Sequence, residues 1–439
     1  MIKKITLLCL LTVAATTGFS QTFNRARLDS LFNILATKDK FMGSIAVSQN
    51  GKLLYTNAIG YSDIGTSKKS DPNTKYRIGS ISKMFTAVMV LKAVEENKIS
   101  LTQTLDKYFP QIENADKITI ANLLNHRSGI HNFTNDPAYL TYHTNPKSEK
   151  EMVEIIAKGK SDFAPDSKGE YSNSNYVVLS YILEKIYQTP YAKILQSKII
   201  NPLGLKNTSF GSKTNLQNNE SYSYSFDDKW VKEAETDVSI PMGAGALLST
   251  PTDLTIFIEQ LFAGKIISEK SLALMKTMNE KYGMGMFELP YFEKRSYGHS
   301  GGIDGFQSVL TYFPEEKLAV ALTSNGLVYA NNNVLLCALS AYFNKPFEIP
   351  TFKSVDLTTA ALDLFLGNYS SAQIPLKIAI TRKENKLFAQ ATGQPSFPLE
   401  ATSANSFQFE KAGLVLEFNT DKKQMTLKQA GNEFLYTKE

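Results

Sequence analysis

The chain has 439 residues, 47 Lys and Arg against 42 Asp and Glu for a formal charge of +5, and only two cysteines. No dense basic run accompanies that small excess, which argues against a nucleic-acid partner. The length suits two domains, one of them large.

Lys3 and Lys4, the apolar stretch from Ile5 to Ala15, and the small residues Gly18 and Ser20 form the pattern of a secretory leader over residues 1–20. The apolar stretch is too short for an ordinary transmembrane helix. Cys9 lies inside it, so cleavage leaves Cys337 alone. An intramolecular disulfide and a cysteine-based metal site are then excluded. Leu318 to Phe343 comes nearest to a later spanning segment, but Ser324-Asn325-Gly326 and Asn331-Asn332-Asn333 interrupt it. The mature protein is expected to be exported, periplasmic or secreted, without stable membrane insertion.

Residues 41–60 read as a hairpin, with Ile45 and Val47 alternating before Asn50-Gly51 and Leu53, Tyr55 and Ile59 after it. Ser80-Ile81-Ser82-Lys83 then opens an apolar run through Met84, Val88, Leu91 and Val94, free of Gly and Pro up to Lys98. That pattern predicts a helix with Ser80 and Lys83 on one face. A lysine made neutral by burial can take the serine proton and so activate a weak nucleophile. A capping serine and a snorkelling lysine would give the same four residues.

Helical signals continue to about Gln260, including Val177 to Ile186 and Tyr191 to Ile200, with Pro202-Leu203-Gly204 as a stop. Tyr171-Ser172-Asn173 falls on the entry to a helix expected from Asn175. There the phenol can shuttle a proton if a nearby cation lowers its pKa, and Asn173 can hold a substrate amide. Gln307 to Tyr312 and Leu318 to Thr323 read as strands, and a helix follows from about Val334. Strands at both ends with helices between predict an antiparallel sheet flanked by helices, an α+β arrangement with an inserted helical region.

Gly298-His299-Ser300-Gly301-Gly302 precedes the Gln307 strand, where glycines let a substrate backbone approach and free amides can face an oxyanion. The same residues match a nucleophile elbow at Ser300. The elbow, however, needs a following helix and a later histidine, and neither is present. His126, His131 and His143 lack the spacing of a metal site and read as loop or structural residues. Beyond Pro346 and Pro350 the pattern turns to short strands at Lys377 to Thr381, Lys386 to Ala391, Phe407 to Phe409, Leu414 to Phe418, Met425 to Leu427 and Glu433 to Tyr436. Such spacing predicts a small β-barrel or sandwich. The expected division is a leader at 1–20, a hydrolase domain at 21–348, a linker at 349–361 and the C-terminal β-domain at 362–439.

Taken together and in order, these motifs resemble the serine β-lactamase and penicillin-binding-protein-like hydrolases. The nearest branch holds class C β-lactamases, D-alanyl-D-alanine carboxypeptidases, D-aminopeptidases and related esterases. The resemblance spans roughly residues 40–345. It rests on Lys75 to Lys83 with Phe85-Thr86-Ala87, on Leu123 to Ile130, on Phe163-Ala164-Pro165 through Tyr171-Ser172-Asn173, and on Gly298 to Gly302 ending at Gly305-Phe306. Asp166 stands where the family usually has glycine. The resemblance implies Ser80 as acylated nucleophile and Lys83 with Tyr171 as its acid and base. It further implies Asn173, His299, Ser300 and Gly301 against substrate, and the amides of Ser80 and Gly302 as oxyanion hole. It calls for no cofactor and no metal. The C-terminal segment more weakly resembles a lipocalin-like barrel.

The activity so implied is that of an acyl-enzyme hydrolase acting on a small molecule or peptide, DD-peptidase-like on D-configured peptides, with an esterase or amidase as the alternative. A β-lactamase is a weaker reading, because His299 lacks the permanent charge a lysine offers a β-lactam carboxylate. A penicillin-binding pseudoenzyme is the non-catalytic alternative, and it would be free to lose Ser80, Lys83 or Tyr171. All three are present. Oligomeric state is left open.

Overall fold

A computed structural model describes residues 23–439 except 228, 353 and 430. The leader read at residues 1–20 lies outside the described residues. Helix α1 (Arg25–Thr37) leads into strands β1 (Phe41–Gln49) and β2 (Lys52–Ile59). Asn50 and Gly51 join the two strands with φ of 54° and 77°, the paired left-handed conformations of a two-residue hairpin turn. Helices α2 (Ser82–Glu95), α3 (Asn173–Tyr187) and α4 (Pro251–Phe262) follow among shorter ones. The chain then returns to the sheet through β3 (Phe287–Glu288), β4 (Tyr297–Ile303), β5 (Phe306–Phe313) and β6 (Leu318–Leu327), before helix α5 (Asn331–Tyr342). The strand order is β3-β4-β5-β6-β1-β2, with every neighbour antiparallel.

Both faces of this sheet are covered, which is why β6 reads as a continuous apolar run rather than an alternation. Leu318, Val320 and Leu322 point into the layer shared with α1 and α5, while Ala319 and Ala321 point to the opposite layer, where α4 packs. Helix α2 lies inside that second layer. Met84, Phe85, Val88 and Leu91 are fully buried, and Phe85 stacks on Phe257 of α4 at 3.8 Å. A helix apolar on every side is a core helix. Burial follows the sequence: no face of α2 between Met84 and Leu91 offers a charge to water.

The C-terminal strands close into an eight-stranded antiparallel barrel. They are β7 (Gly367–Ser370), β8 (Ile378–Lys383), β9 (Lys386–Ala391), β10 (Phe397–Ala401), β11 (Ser406–Phe409), β12 (Leu414–Asn419), β13 (Gln424–Gln429) and β14 (Asn432–Lys438). Pairing of Tyr369 with Lys438 makes the closure. Two of these strands, β7 and β10, were not legible as alternating runs; Pro398 breaks the pattern in β10, and β7 is four residues long. Inward side chains including Tyr369, Ile380, Leu416, Phe418, Met425 and Tyr436 fill the interior, as suits a barrel of this strand number.

Candidate active site

Ser80 sits on a single 3₁₀ turn, Gly79–Ile81, that runs directly into α2. Gly79 has φ +50°, and a Cβ there would stand 2.7 Å from the Gly302 nitrogen. Gly301 is constrained from the other side: a Cβ on it would lie 2.0 Å from the Ile78 carbonyl oxygen and 3.0 Å from the Ser80 nitrogen. The glycines therefore serve first to let β4 lie against the turn that carries Ser80. That packing brings the backbone of Gly302 beside the backbone of Ser80.

Lys83, one helical turn on, is completely buried. Its Nζ is 3.0 Å from Ser80 Oγ, and it donates to Asn173 Oδ1 and to the Ala244 carbonyl oxygen, each at 2.8 Å. No carboxylate pairs with it among the described residues, and burial pushes the amine well below the usual lysine range. The turn Met242–Gly245 that offers Ala244 is itself clamped: Thr86 Oγ1 donates to the Gly243 oxygen at 2.7 Å, and the Gly243 nitrogen donates to Ser180 Oγ at 2.8 Å. A Cβ on Gly243 would fall 2.5 Å from both hydroxyls. Sequence reasoning missed this turn; the small residues of Gly243-Ala244-Gly245 are the signal that was available.

Tyr171 precedes α3, which begins at Asn173 rather than Asn175. Ser172, with φ −138° and ψ 122°, is the extended residue before it. The Asn173 nitrogen donates to Asn132 Oδ1 at 2.9 Å, and Asn173 Nδ2 donates to Thr134 Oγ1 at 3.1 Å. Asn173 thus bridges Lys83 and the loop at Thr134. The Tyr171 phenol hydrogen-bonds with Ser80, and burial raises its pKa above the usual tyrosine value. The expected lowering by a nearby cation does not occur, because the lysine beside it is itself held towards the neutral form. The phenol stays protonated.

Tyr171 is held from behind by His126, whose ring lies 4.4 Å away at 31°. His126 Nδ1 accepts the Ser172 N–H at 3.2 Å, and the residue adopts φ +60°. Read from sequence only as a loop or structural histidine, His126 proves to be the support of the tyrosine. Asp166 has φ +67°, a left-handed backbone conformation that glycine adopts without strain, in keeping with the glycine that the resemblance leads one to expect there. Arg127 Nε meets Asp166 Oδ1 at 2.7 Å and Arg127 Nη1 meets Glu280 Oε1 at 2.8 Å, pinning the loop that leads to Tyr171. His131 instead pairs with Asp162 and Asp136 at 2.8 and 3.2 Å.

His299 is 2% exposed and packs on Phe287 at 4.4 Å, with its Nδ1 donating to the Ser300 oxygen. Burial first, and the neighbouring Lys83 second, hold its pKa down to about 3. It is therefore neutral at ordinary pH and sits 6.2 Å from Tyr171, ring centre to ring centre. The cavity over Ser80 measures about 920 Å³, and its walls include Asn173, Ser300, Gly301 and Gly302 but not His299. Among the described residues no group of three or more His, Cys, Asp or Glu side chains is arranged to hold a metal ion.

A buried lysine without a counter-charge, set against a serine hydroxyl, is an arrangement that can activate a nucleophile without any histidine–aspartate pair. The protein is a serine hydrolase with a β-lactamase fold. Residues 35–335 match the Beta-lactamase family, and the chain belongs to it. It is 29% identical over 301 residues to the teichoic acid D-alanine hydrolase of Staphylococcus aureus (strain MRSA252), a match covering 67% of this chain and 72% of that protein. The D-amino acid amidase of Ochrobactrum anthropi SV3, solved with L-phenylalanine, superposes with a TM-score of 0.62 at 26% identity, over 72% of this chain and 99% of the other. An octameric penicillin-binding protein homologue from Pyrococcus abyssi has a TM-score of 0.67 and 22% identity over 94% of this chain and 100% of its own. That likeness is one of fold, and its span reaches into the barrel.

Proposed function

We propose that this protein is an exported hydrolase of D-aminoacyl esters or amides, working through an acyl-enzyme at Ser80. Ser80 Oγ attacks the substrate carbonyl carbon while its proton passes to Lys83 Nζ. The two hydrogens of the neutral amine go to Asn173 Oδ1 and the Ala244 oxygen, which leaves the lone pair for the Ser80 hydroxyl. Backbone N–H groups of Ser80 and Gly302 hold the developing oxyanion. The proton then reaches the leaving oxygen or nitrogen through Tyr171, whose burial keeps it an acid rather than a phenolate. Water attacks the Ser80 ester next, its proton passes through Lys83 back to Ser80 Oγ, and the free D-amino acid leaves. Buried His299 acts on Tyr171 from the side, as a positioning residue. Export is proposed from the leader pattern at residues 1–20, and no described helix is long and apolar enough to cross a membrane.

The observation that carries the substrate reading is the charge of the cavity wall. No lysine, arginine or histidine lines it among the described residues, and its one carboxylate, Asp304, is already engaged by Arg77 at 3.4 Å and by Thr236. A peptide ending in a free carboxylate, or a β-lactam, meets no cation there. An ester or amide of a D-amino acid presents no such carboxylate, so the DD-carboxypeptidase reading stands second. The D configuration is taken from the relatives, a teichoic acid D-alanine hydrolase and a D-amino acid amidase. Chromatography of D-alanine released from D-alanine p-nitrophenyl ester, D-alaninamide and a D-alanyl-D-alanine peptide tests this reading. The ester and the amide are expected to outpace the peptide. Preferred cleavage of the peptide would restore the carboxypeptidase assignment.

A further inference from the structure

The cavity that opens at Ser80 continues past the nucleophile, across the free edge of β4. β3 pairs only with Tyr297 and Gly298, so the edge from His299 onward has no strand partner on that side. Cross-strand pairing then decides which side chains face which lobe. His299 lies opposite Leu310 and Gly301 opposite Ser308, whereas Ser300 lies opposite Val309 and Gly302 opposite Gln307. Leu310 belongs to the layer around α2, and Val309 to the layer shared with α5. Ser300, expected from the sequence to meet substrate beside the nucleophile, therefore faces a second lobe on the α5 side of the sheet.

The walls of that lobe are Leu289, Pro290, Val309, Leu335, Leu336 and Leu339. They carry no charge. Asn331, at the start of α5, lines the same cavity, is 8% exposed, and has an Oδ1 with no hydrogen-bond partner among the described residues. A buried carbonyl left without a donor is costly. The lobe thus has a mainly apolar wall, with the buried amide of Asn331 at its margin. At about 920 Å³ the whole cavity is near the upper end of small-molecule sites, which run to roughly 1,000 Å³. It has room for more than a D-alanyl group.

We infer that this lobe is an apolar subsite, taking an aliphatic or aromatic group borne on the D-aminoacyl unit of the substrate. The inference rests on the reading of Ser80 as nucleophile. It assigns to the enzyme substrates whose D-aminoacyl unit is extended by an apolar N-acyl group or an apolar neighbouring residue.

The test uses the full chain with N-acetyl-, N-butanoyl- and N-octanoyl-D-alanine p-nitrophenyl esters. Each methylene taken out of water should raise kcat/KM by about threefold to fourfold until the lobe is full, so the octanoyl-to-acetyl ratio should exceed about tenfold. Leu336 is only half-buried, so Leu336→Asp puts a charge into the lobe with little risk to folding. It should bring that ratio down to within about twofold of one, as expected when apolar burial is lost. If thermal denaturation shows that Leu336→Asp is unfolded, Leu336→Trp, which fills the lobe, reads the same ratio. A flat series in the wild type, with Ser80 acylated by the acetyl ester, overturns the subsite alone. So does a steep series that the substitution leaves unchanged. Failure of the acetyl ester to acylate Ser80 overturns the proposed chemistry and the subsite with it.

Discussion

The core around α2 and the core of the C-terminal barrel bury side chains of different kinds. Around α2, Ser82, Lys83, Thr86, Asn175 and Ser180 are fully buried, with His126 at 2%. Inside the barrel the buried side chains are almost entirely apolar, from Tyr369 through Leu416 to Tyr436. Burying a polar group is expensive unless it is hydrogen-bonded. A core that nevertheless gathers them is where the proposed chemistry is placed. The hydroxyls of Thr86 and Ser180 clamp the turn that presents Ala244 to Lys83. The barrel contributes none of the residues proposed for catalysis.

The comparison breaks most sharply at Ser80. Ser80→Ala should abolish turnover and covalent labelling by a fluorophosphonate while leaving the melting temperature nearly unchanged, since it removes one hydroxyl from a helix entry. Labelling of that variant at Ser300 would revive the nucleophile elbow. Next in size, Lys83→Ala and Tyr171→Phe should each lower the acylation rate by about 10²–10⁴, the range of lost acid–base catalysis. As the two act on one proton, the double variant should fall far short of the product of the single losses. Fully multiplicative losses in a kinetic cycle would separate them.

A smaller effect concerns pH and stability. His126 and His299 are held below the ordinary histidine value of 6.5, His299 to about 3. Below pH 6.5 the unfolded chain therefore binds protons that the folded chain refuses, and stability falls as pH drops from 6.5 towards 3. His299→Asn should flatten part of that fall in denaturant titrations run at several pH values. An unaltered slope would mean that His299 is not held neutral in the fold. Because His299 is uncharged throughout that range, the preference of the wild type for neutral over anionic substrates should also not change on crossing pH 6.5.

The smallest effect on catalysis is expected from the barrel. Leu416 is fully buried there, and Leu416→Ala should destabilise the barrel by about 2–5 kcal/mol, as large-to-small core changes do. The rate of Ser80 acylation should nevertheless stay at its wild-type value in stopped-flow with an activated ester. A matching loss of acylation in the folded variant would tie the barrel to the active site.

Much of this was legible in the sequence because it is carried by local rules. The Asn50-Gly51 turn, the uniformly apolar α2 and the alternating barrel strands follow from backbone preference and periodicity. The Ser80–Lys83 pair follows from helical spacing. What could not be read depends on contacts distant in the chain. The Ala244 carbonyl reaches Lys83 from 161 residues away, and His126 meets Tyr171 across a loop. The face on which Ser300 lies is set by its register with Val309. The role expected of His299 failed to include its burial, because a glycine-rich strand edge does not disclose which neighbour, here Phe287, covers the alternate side chains. Asp166 was visible as a departure from the family pattern, but its left-handed backbone and its bridge to Arg127 appear only in three dimensions.

The central claim is that Ser80 becomes acylated with Lys83 as its base, and peptide mapping of the acylated enzyme tests it most directly. The protein is quenched in acid during turnover of a D-alanine ester, digested and sequenced by mass spectrometry, in parallel for wild type and Lys83→Ala. The expected result is a D-alanyl adduct on the peptide containing Ser80, with accumulation strongly slowed in Lys83→Ala. An adduct on Ser300, or an adduct at Ser80 that forms equally fast without Lys83, would contradict it.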